Sequence, residues 1–162
     1  MSKLILMVGL PFSGKTTRAK QLEKEYNAMR LTPDEWHVKL FGQDVYSAEH
    51  DKRHSAIEDI MIDLAFKILE KGQNVILDFG FWSIEERIFF RDKAKKNGFD
   101  FAICYCECPE NELEERMNKR NNDPNNPYFY IPIDKYKEYV KIFQKPTNNE
   151  GEFIETKIDT RI

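Results

Sequence analysis

Apolar positions along the chain form short continuous runs that alternate with stripes at helical spacing. The runs predict strands over residues 3–8, 28–31, 74–79, 101–108 and 153–158. The stripes and their capping residues predict helices over about 15–26, 33–41, 48–71, 84–96, 109–120 and 133–143. In the third of these helices one face carries Ile57, Ile60, Met61, Leu64 and Ile68. Because strands alternate with helices, the pattern predicts a three-layer α/β/α sandwich around a mainly parallel, five-stranded sheet.

One stretch between the last two predicted helices contains no apolar residue. Residues 121–127 read Asn-Asn-Asp-Pro-Asn-Asn-Pro, a run of turn formers that predicts a mobile flap. With the residues on either side, this flap would form a lid at about 116–132. The 162 residues have the length of one domain, so we predict a single domain over 1–162 that carries the lid.

Composition and charge narrow the class of protein. Hydrophobic residues make up 41% and charged residues 33% of the chain, as in ordinary globular proteins. The longest apolar runs have the length of strands, which predicts no membrane association. The first strand follows Met1 almost directly and leaves no room for a signal peptide, so we expect a cytoplasmic protein. A net charge of -3 argues against a long nucleic acid as partner and leaves room only for a local basic patch.

Residue types that often bind metals occur in two places. Cys104, Cys106 and Cys108 alternate along a predicted strand, which places all three on one face and favours buried structural cysteines over a metal site. His50 and His54 lie one helical turn apart but lack the glutamate of an H-E-x-x-H motif. We therefore predict no metal site at either place.

The loop after the first strand carries the most specific motif. Residues 9–16 read Gly-Leu-Pro-Phe-Ser-Gly-Lys-Thr, a complete G-x-x-x-x-G-K-[ST] phosphate-binding loop. In such loops backbone N–H groups surround phosphates, the lysine reaches the terminal phosphates and the hydroxyl binds Mg²⁺. The motif predicts a P-loop NTPase with ATP and Mg²⁺ as cofactors. The predicted nucleotide-binding residues of the loop are Gly9, Pro11, Phe12, Ser13, Gly14, Lys15, Thr16 and Thr17.

Two aspartates lie near the carboxyl ends of predicted strands. Asp34 follows the second strand, where it could accept a proton from an acceptor hydroxyl; alternatively it only complements the dipole of a helix capped by Thr32. Asp78 ends the third strand in Val-Ile-Leu-Asp and, with Thr16, is a predicted metal residue; alternatively it caps the next helix. The sequence leaves open which aspartate is the base.

Two arginines precede the flap on one helical face. Arg116 and Arg120 are four residues apart and could close over a bound nucleotide together, as predicted nucleotide-binding residues. The alternative is a solvent-exposed face on which Glu112 and Glu115 are their ion-pair partners.

The chain resembles the P-loop kinases grouped with chloramphenicol phosphotransferase, zeta toxin and the kinase domain of phage polynucleotide 5′-kinase, many of them known only as AAA-type ATP-binding proteins. The resemblance covers roughly residues 3–145 and rests on the loop, on Asp34 and on the stretches 115–120 and 131–134. It implies a nucleoside-kinase-like fold in which Lys15 and Thr16 bind ATP and Mg²⁺. It also implies that Asp34 is the general base and that Arg120 contacts the transferring phosphate, so that Lys15, Asp34 and Arg120 are the catalytic residues.

One departure from the family bears on the acceptor. Where the polynucleotide kinase has an arginine three residues beyond its aspartate, this chain has His37, which weakens a polynucleotide substrate. The first hypothesis is therefore a kinase that transfers the γ-phosphate of ATP to a hydroxyl of a small molecule, nucleoside-like or an antibiotic. The alternatives are a 5′-hydroxyl polynucleotide kinase and a non-enzymatic ATP-dependent switch. The acceptor, the preference for ATP over GTP and the oligomeric state stay open.

Overall fold

A sheet of five parallel strands forms the centre of the computed structural model, which describes residues 1–156. In chain order the strands are β1 (Lys3–Val8), β2 (Ala28–Leu31), β3 (Asn74–Gly80), β4 (Asp100–Tyr105) and β5 (Glu152–Phe153). Their order across the sheet is β2-β3-β1-β4-β5. The predicted five-stranded parallel sheet is thus confirmed.

The described chain contains six α-helices. They are α1 (Lys15–Glu25), α2 (Pro33–Phe41), α3 (His50–Glu70), α4 (Ile84–Lys96), α5 (Leu113–Asn121) and α6 (Ile133–Ile142). Leu22 of α1 packs on one face of the sheet, whereas Met61 of α3 and Phe90 of α4 pack on the other. The three-layer α/β/α sandwich is confirmed.

Strand β1 lies at the centre of the sheet and is buried on both faces. All five residues from Leu4 to Val8 are 0% exposed. Leu4 and Leu6 contribute to the core under α3 and α4, while Ile5 and Met7 contribute to the core under α1. Burying each of these side chains stabilises the fold by roughly 1.5–3 kcal/mol. The loop that follows β1 is therefore anchored to the most rigid part of the molecule.

Several element boundaries differ from the prediction. Strand β4 ends at Tyr105; Cys104 and Cys106 are buried as expected, but Cys108 is only half-buried because the chain leaves the sheet before Pro109. The helix predicted from residue 109 begins with a 3-10 turn at Glu110–Glu112 and becomes α-helical at Leu113. The last strand is shorter than predicted, and residues 157–158 of that prediction lie outside the described residues.

Helix α3 buries a narrower stripe than its apolar pattern predicted. Its buried residues lie four apart, at Ile57, Met61, Ala65 and Leu69. Ile60 and Leu64, predicted on the same face, are 59% and 36% exposed, since only one line of the helix meets the sheet. No helix within residues 1–156 is both long and apolar enough to cross a membrane.

The carboxyl ends of β1, β2 and β3 meet at one edge of the sheet. Because all three strands are parallel, the loop after β1 and the start of α2 after β2 lie beside the last residues of β3. This edge gathers the residues that the sequence singled out.

Candidate active site

The loop after β1 has the backbone conformation of a phosphate-binding nest. Gly14 precedes α1 with φ of 86°, and Gly9 has φ of 154°. A Cβ at Gly9 would lie 2.5 Å from the backbone oxygen of Cys106, so only glycine fits between the loop and the end of β4. The first N–H groups of α1 are left to bind an anion inside the loop.

Phe12 connects this loop to the lid. Its φ of 67° is unusual for a residue with a side chain and costs on the order of 1–3 kcal/mol. The ring is 6% exposed and packs with Met117, Phe129 and Ile131 in a cluster separate from the two cores of the sheet. The lid therefore docks on the loop through an apolar contact that compensates for the strained backbone.

Arg116 also holds the lid to the loop. Its Nη1 donates to the backbone oxygen of Phe12 at 2.9 Å, and its Nη2 donates to Glu112 Oε2 at 2.7 Å. Glu112 is one of the ion-pair partners that the alternative interpretation named. In this geometry Arg116 positions the lid, and any contact with nucleotide stays a prediction.

Asp78 is buried at the centre of the edge. It lies within β3, two residues before the strand ends, and is 4% exposed. Its Oδ2 accepts hydrogen bonds from the hydroxyls of Thr16 at 2.7 Å and Thr32 at 2.9 Å. Thr32 is the N-cap residue of α2, as predicted, but its hydroxyl makes no capping hydrogen bond because it donates to Asp78 and accepts from Arg30.

Lys15, which is half-buried, and Asp78, which is buried, attract each other as opposite charges. Burial lowers the pKa of Lys15, while the carboxylates of Asp78 and Asp34 oppose that shift. Burial likewise raises the pKa of Asp78, opposed by the Lys15 ammonium and by the two threonine hydroxyls. Lys15 Nζ donates to the backbone oxygen of Leu10 at 3.1 Å. When a nucleotide binds, its phosphates would pair with the Lys15 ammonium and its metal ion with the Asp78 carboxylate.

The donors around Asp78 fit a magnesium ion. Asp78 Oδ1 is buried and has no hydrogen-bond partner within the described residues. The Thr16 hydroxyl gives its proton to Asp78 and keeps lone pairs for a cation. A hydroxyl and a carboxylate are oxygen donors of the kind that Mg²⁺ prefers, with waters completing its shell.

Asp34 occupies a more open position in the first turn of α2. Its side chain is 36% exposed, and its Oδ1 lies 3.6 Å from Nε2 of His54. The same nitrogen lies 3.8 Å from Oε1 of Glu58. Burial raises the pKa of Glu58 to about 8, and the charges of Glu86 and Asp34 add to the effect. The side of the site on which Asp34 lies is therefore rich in carboxyl groups.

Arg120 points into the same space from the lid. Its guanidinium lies 5.0 Å from the ring centroid of Phe12 and 5.1 Å from that of Tyr128. Its Nε is buried without a hydrogen-bond partner in the described part of the chain. Burial lowers the pKa of Arg120, and the charges of Asp34 and Asp78 counteract this. The structure thus brings Arg120, Asp34 and Asp78 together around the mouth of the loop.

A cavity that the sequence did not predict lies beside the loop. It has a volume of about 650 Å³ and lies between the loop, the end of β4 and helix α6. Its lining includes Leu10, Ser13, Cys108, Tyr136, Phe143 and Lys145. These residues come from segments far apart in the chain, so no local pattern could reveal that they share a cavity.

His37, which stands where the polynucleotide kinase has an arginine, lies in the interior of the protein. It is 0% exposed, and its Nε2 lies 2.8 Å from Asp44 Oδ1. It therefore cannot replace the arginine that the polynucleotide kinase presents to a substrate phosphate. The neighbouring histidines gave a weak signal through their spacing, but nothing in the sequence linked them to His37.

Solved structures share this fold. A candidate kinase from Chloroflexus aurantiacus gives a TM-score of 0.70 at 19% identity, over 94% of this chain and 86% of its own. Kti12 from Chaetomium thermophilum, in complex with ADP-AlF3, gives 0.63 at 17% identity over 93% and 88%. A chain of the Pnkp1/Rnl/Hen1 RNA repair complex gives 0.64 at 24% identity, over 86% of this chain and 43% of its own. At these identities the likeness shows the fold.

A family model covers most of the chain. The model of the AAA domain matches residues 4–146, which include the loop, both aspartates and both lid arginines. No curated protein matches the sequence. The match confirms the predicted AAA-type family, and kinases are among the solved structures that share the fold. The chain belongs to the AAA domain family and has the α/β fold of the P-loop kinases.

Proposed function

We propose that this protein is an ATP- and Mg²⁺-dependent kinase that transfers the γ-phosphate of ATP to a hydroxyl of a small molecule. One observation carries the proposal: the accessible carboxylate of Asp34 lies at the mouth of a phosphate-binding loop, where the charges of Lys15 and Arg120 also act. A nucleotide switch needs the loop but has no use for a base that faces an acceptor. The family membership supports nucleotide binding.

Each charged group has a role in the proposed reaction. The loop N–H groups and Lys15 hold the β- and γ-phosphates, and the cavity beside the loop takes the base of the nucleotide. Thr16 and Asp78 would hold Mg²⁺, which neutralises charge on the phosphate oxygens. Asp34 accepts the acceptor's hydroxyl proton while the oxygen bonds to the γ-phosphorus and ADP leaves. Arg120 stabilises the charge on the group in transfer.

The surroundings of the two aspartates favour Asp34 as the base. Both hydrogen bonds to Asp78 Oδ2 come from threonine hydroxyls, and its position behind Thr16 suits a metal residue. Among residues 1–156 no hydroxyl donates a hydrogen bond to Asp34, and its carboxylate is open to an incoming substrate. Because their environments differ, Asp34 acts as the base and Asp78 as a metal residue.

The charges of the acceptor side favour a small molecule over a polynucleotide. The Asp34 carboxylate would repel the phosphates of a nucleic-acid end, and His37 is buried away from them. A nucleoside-like compound or an antibiotic carries hydroxyls but no phosphates, so it would not be repelled in this way. A 5′-hydroxyl polynucleotide kinase remains the alternative, since a chain of an RNA repair complex shares the fold.

The test is ADP release in the presence of a panel of hydroxyl compounds, with a short 5′-hydroxyl oligonucleotide as a separate arm. We expect one small acceptor to stimulate turnover and Asp34→Asn to lower the stimulated rate by about 10²- to 10⁴-fold with little change in ATP affinity. Asp63→Asn, an exposed aspartate of α3, is the matched control and should leave the rate unchanged.

Three outcomes would contradict the proposal. Label transfer from γ-labelled ATP to the oligonucleotide alone would favour the polynucleotide kinase. ATP binding without any turnover would favour the switch. Basal hydrolysis that Asp34→Asn leaves untouched would remove Asp34 from the role of base.

A further inference from the structure

The three histidines of the chain meet beside Asp34. His37 comes from α2, and His50 and His54 come from α3. Phe129 of the lid covers them, with ring centroids 4.8, 5.0 and 5.8 Å from those of His37, His50 and His54. Imidazoles withdrawn from water in this way make hydrogen bonds with defined donors and acceptors.

Asp44 fixes one end of this cluster. Its carboxylate lies 2.8 Å from Nε2 of His37 and 2.6 Å from Nδ1 of His50, and Arg53 Nη1 donates to it at 3.1 Å. Burial would raise the pKa of Asp44, but these hydrogen bonds outweigh burial and hold the pKa well below its usual range. An ionised carboxylate only accepts, so Nε2 of His37 carries a proton.

The direction of the remaining bonds follows from that proton. In neutral His37 the Nδ1 atom has a lone pair, and Nδ1 of His54 lies 3.1 Å from it. When His37 is neutral, Nδ1 of His54 is therefore the donor of this hydrogen bond. A neutral imidazole has one N–H, so Nε2 of His54 is left with a lone pair. That atom is the one that lies 3.6 Å from Asp34 and 3.8 Å from Glu58.

We propose that His54 is a proton-relay residue that receives the acceptor's proton from Asp34, in a tautomer fixed by His37 and Asp44. This inference rests on the proposed kinase function. In the first step the acceptor O–H bond breaks and its proton bonds to Asp34, while the oxygen bonds to the γ-phosphorus and the bond from that phosphorus to ADP breaks. In the second step the proton moves from Asp34 to the lone pair on Nε2 of His54. Asp34 is then ionised again, and the imidazolium loses its proton to water after the product leaves.

The groups that face His54 suit this exchange. Asp34 on α2 stabilises the imidazolium, while His37 on α2 and His50 on α3 disfavour it. Glu58 faces it from the next turn of α3, with Glu86 of α4 beyond Glu58, and Asp44 acts through His37. Burial lowers the pKa of His54, which keeps it neutral and ready to accept at neutral pH.

Nitrogen NMR of the full chain labelled with 15N-histidine tests the tautomers without any activity. Only three histidines contribute signals, and His50→Gln and His37→Gln assign them. We expect a proton on Nδ1 of His54 and on Nε2 of His37 at neutral pH. We also expect Asp44→Asn to abolish both preferences. A proton on Nε2 of His54 in the wild type would overturn the relay.

The pH profile of ATP turnover tests the function of His54. With basal ATP hydrolysis as the readout, His54→Gln should lower the rate about 10- to 100-fold and change the acidic limb of the profile, at unchanged KM for ATP. The wild-type rate should fall as pH falls, because acidification protonates the lone pair on Nε2 and so removes the proton acceptor. Lys52→Gln is the control, because Lys52 is an exposed residue of the same helix. It should change the rate less than about twofold.

The two proposals fail in different ways. If the wild type hydrolyses ATP and His54→Gln keeps the wild-type pH profile, the relay is wrong and the kinase proposal stands. If the wild type shows no turnover with any acceptor or with water, the kinase proposal is wrong, and with it the proton transfer. The tautomers then still establish whether the hydrogen-bond chain itself exists. Thermal unfolding of His54→Gln separates loss of relay from loss of fold.

Discussion

Asp34 and Asp78 lie at the same edge of the sheet, but their surroundings prepare them for different chemistry. Asp78 is 4% exposed and held by two hydroxyls, whereas the Asp34 side chain is 36% exposed and lies beside a histidine. Burial acts on Asp78 through the cost of desolvating its charge, which Lys15 offsets. At the scale of single residues, exposure and charged neighbours decide what each carboxylate can do.

Glu58 gives the first prediction at this scale. Burial raises its pKa to about 8 from an ordinary 4.5, so the folded protein holds a proton there that the unfolded chain releases. Stability should therefore fall as pH rises from about 4.5 through 8. Glu58→Gln removes this loss and should raise the free energy of unfolding at pH 8.5 by about 1–2 kcal/mol, with little change near pH 4.

Urea unfolding at the two pH values checks this prediction. Glu70→Gln, an exposed glutamate at the end of the same helix, is the control and should change stability by less than about 0.5 kcal/mol at either pH. Equal effects of Glu58→Gln at low and high pH would mean that the carboxyl group does not titrate in this range.

At the scale of elements, one arginine holds α4 to the chain that leads into β5. Arg87 is 0% exposed and pairs with Glu150, which is 1% exposed. It also donates to the backbone oxygens of Phe81 at 2.7 Å and Gln144 at 2.9 Å. These bonds connect β3, α4 and the segment after α6, which are distant in sequence. Such a buried pair is costly to break because its partner is left with an unpaired charge.

Arg87→Ala should lower the free energy of unfolding by about 3–5 kcal/mol. Arg91, one turn later on α4, is the comparison: it pairs with the exposed carboxylate of Asp92 and donates to the backbone oxygens of Asn149 and Glu150 at 3.1 and 3.4 Å, but it is less buried than Arg87. Arg91→Ala should cost less than about 1 kcal/mol. Chemical denaturation of the two variants checks the difference, and equal losses would show that the buried pair contributes no more than the surface pair.

At the scale of the whole molecule, the nucleotide site joins two parts, the sheet and the lid. The loop follows β1 and Asp78 lies in β3 of the same sheet, whereas the lid has its own apolar cluster around Phe12. A nucleotide that contacts the loop, Asp78 and the lid would tie the lid to the sheet. Ligand binding to the native state alone adds RT ln(1 + [L]/Kd) to stability.

ATP with Mg²⁺ should therefore raise the melting temperature, by an amount equivalent to about 2.7 kcal/mol at a ligand concentration 100 times Kd. Lys15→Ala should abolish most of this increase, while Lys20→Ala, an exposed lysine of α1, should retain it. Thermal unfolding with and without nucleotide measures both. Full protection of Lys15→Ala by ATP would contradict a phosphate-binding role for the loop.

Patterns that are local in the chain predicted their structures well. Strand β1 is a continuous apolar run, and it is buried on both faces as such runs are in parallel sheets. Pattern alone placed Ile60 and Leu64 on the buried face of α3, where the structure exposes both. A helical stripe says which residues share a face but not how wide the contact with the sheet is.

The loop motif and the alternation of strands and helices were determined by the sequence alone, since both depend on neighbouring residues and on backbone conformations that glycine permits. Tertiary structure decided the rest. The Thr32 hydroxyl donates to Asp78 and makes no capping hydrogen bond to α2. Arg116 donates to the backbone of Phe12, and the three histidines lie together beside Asp34. These outcomes depend on burial and on hydrogen bonds between segments far apart in the chain, where the nearest charge or hydroxyl is set by packing and not by spacing.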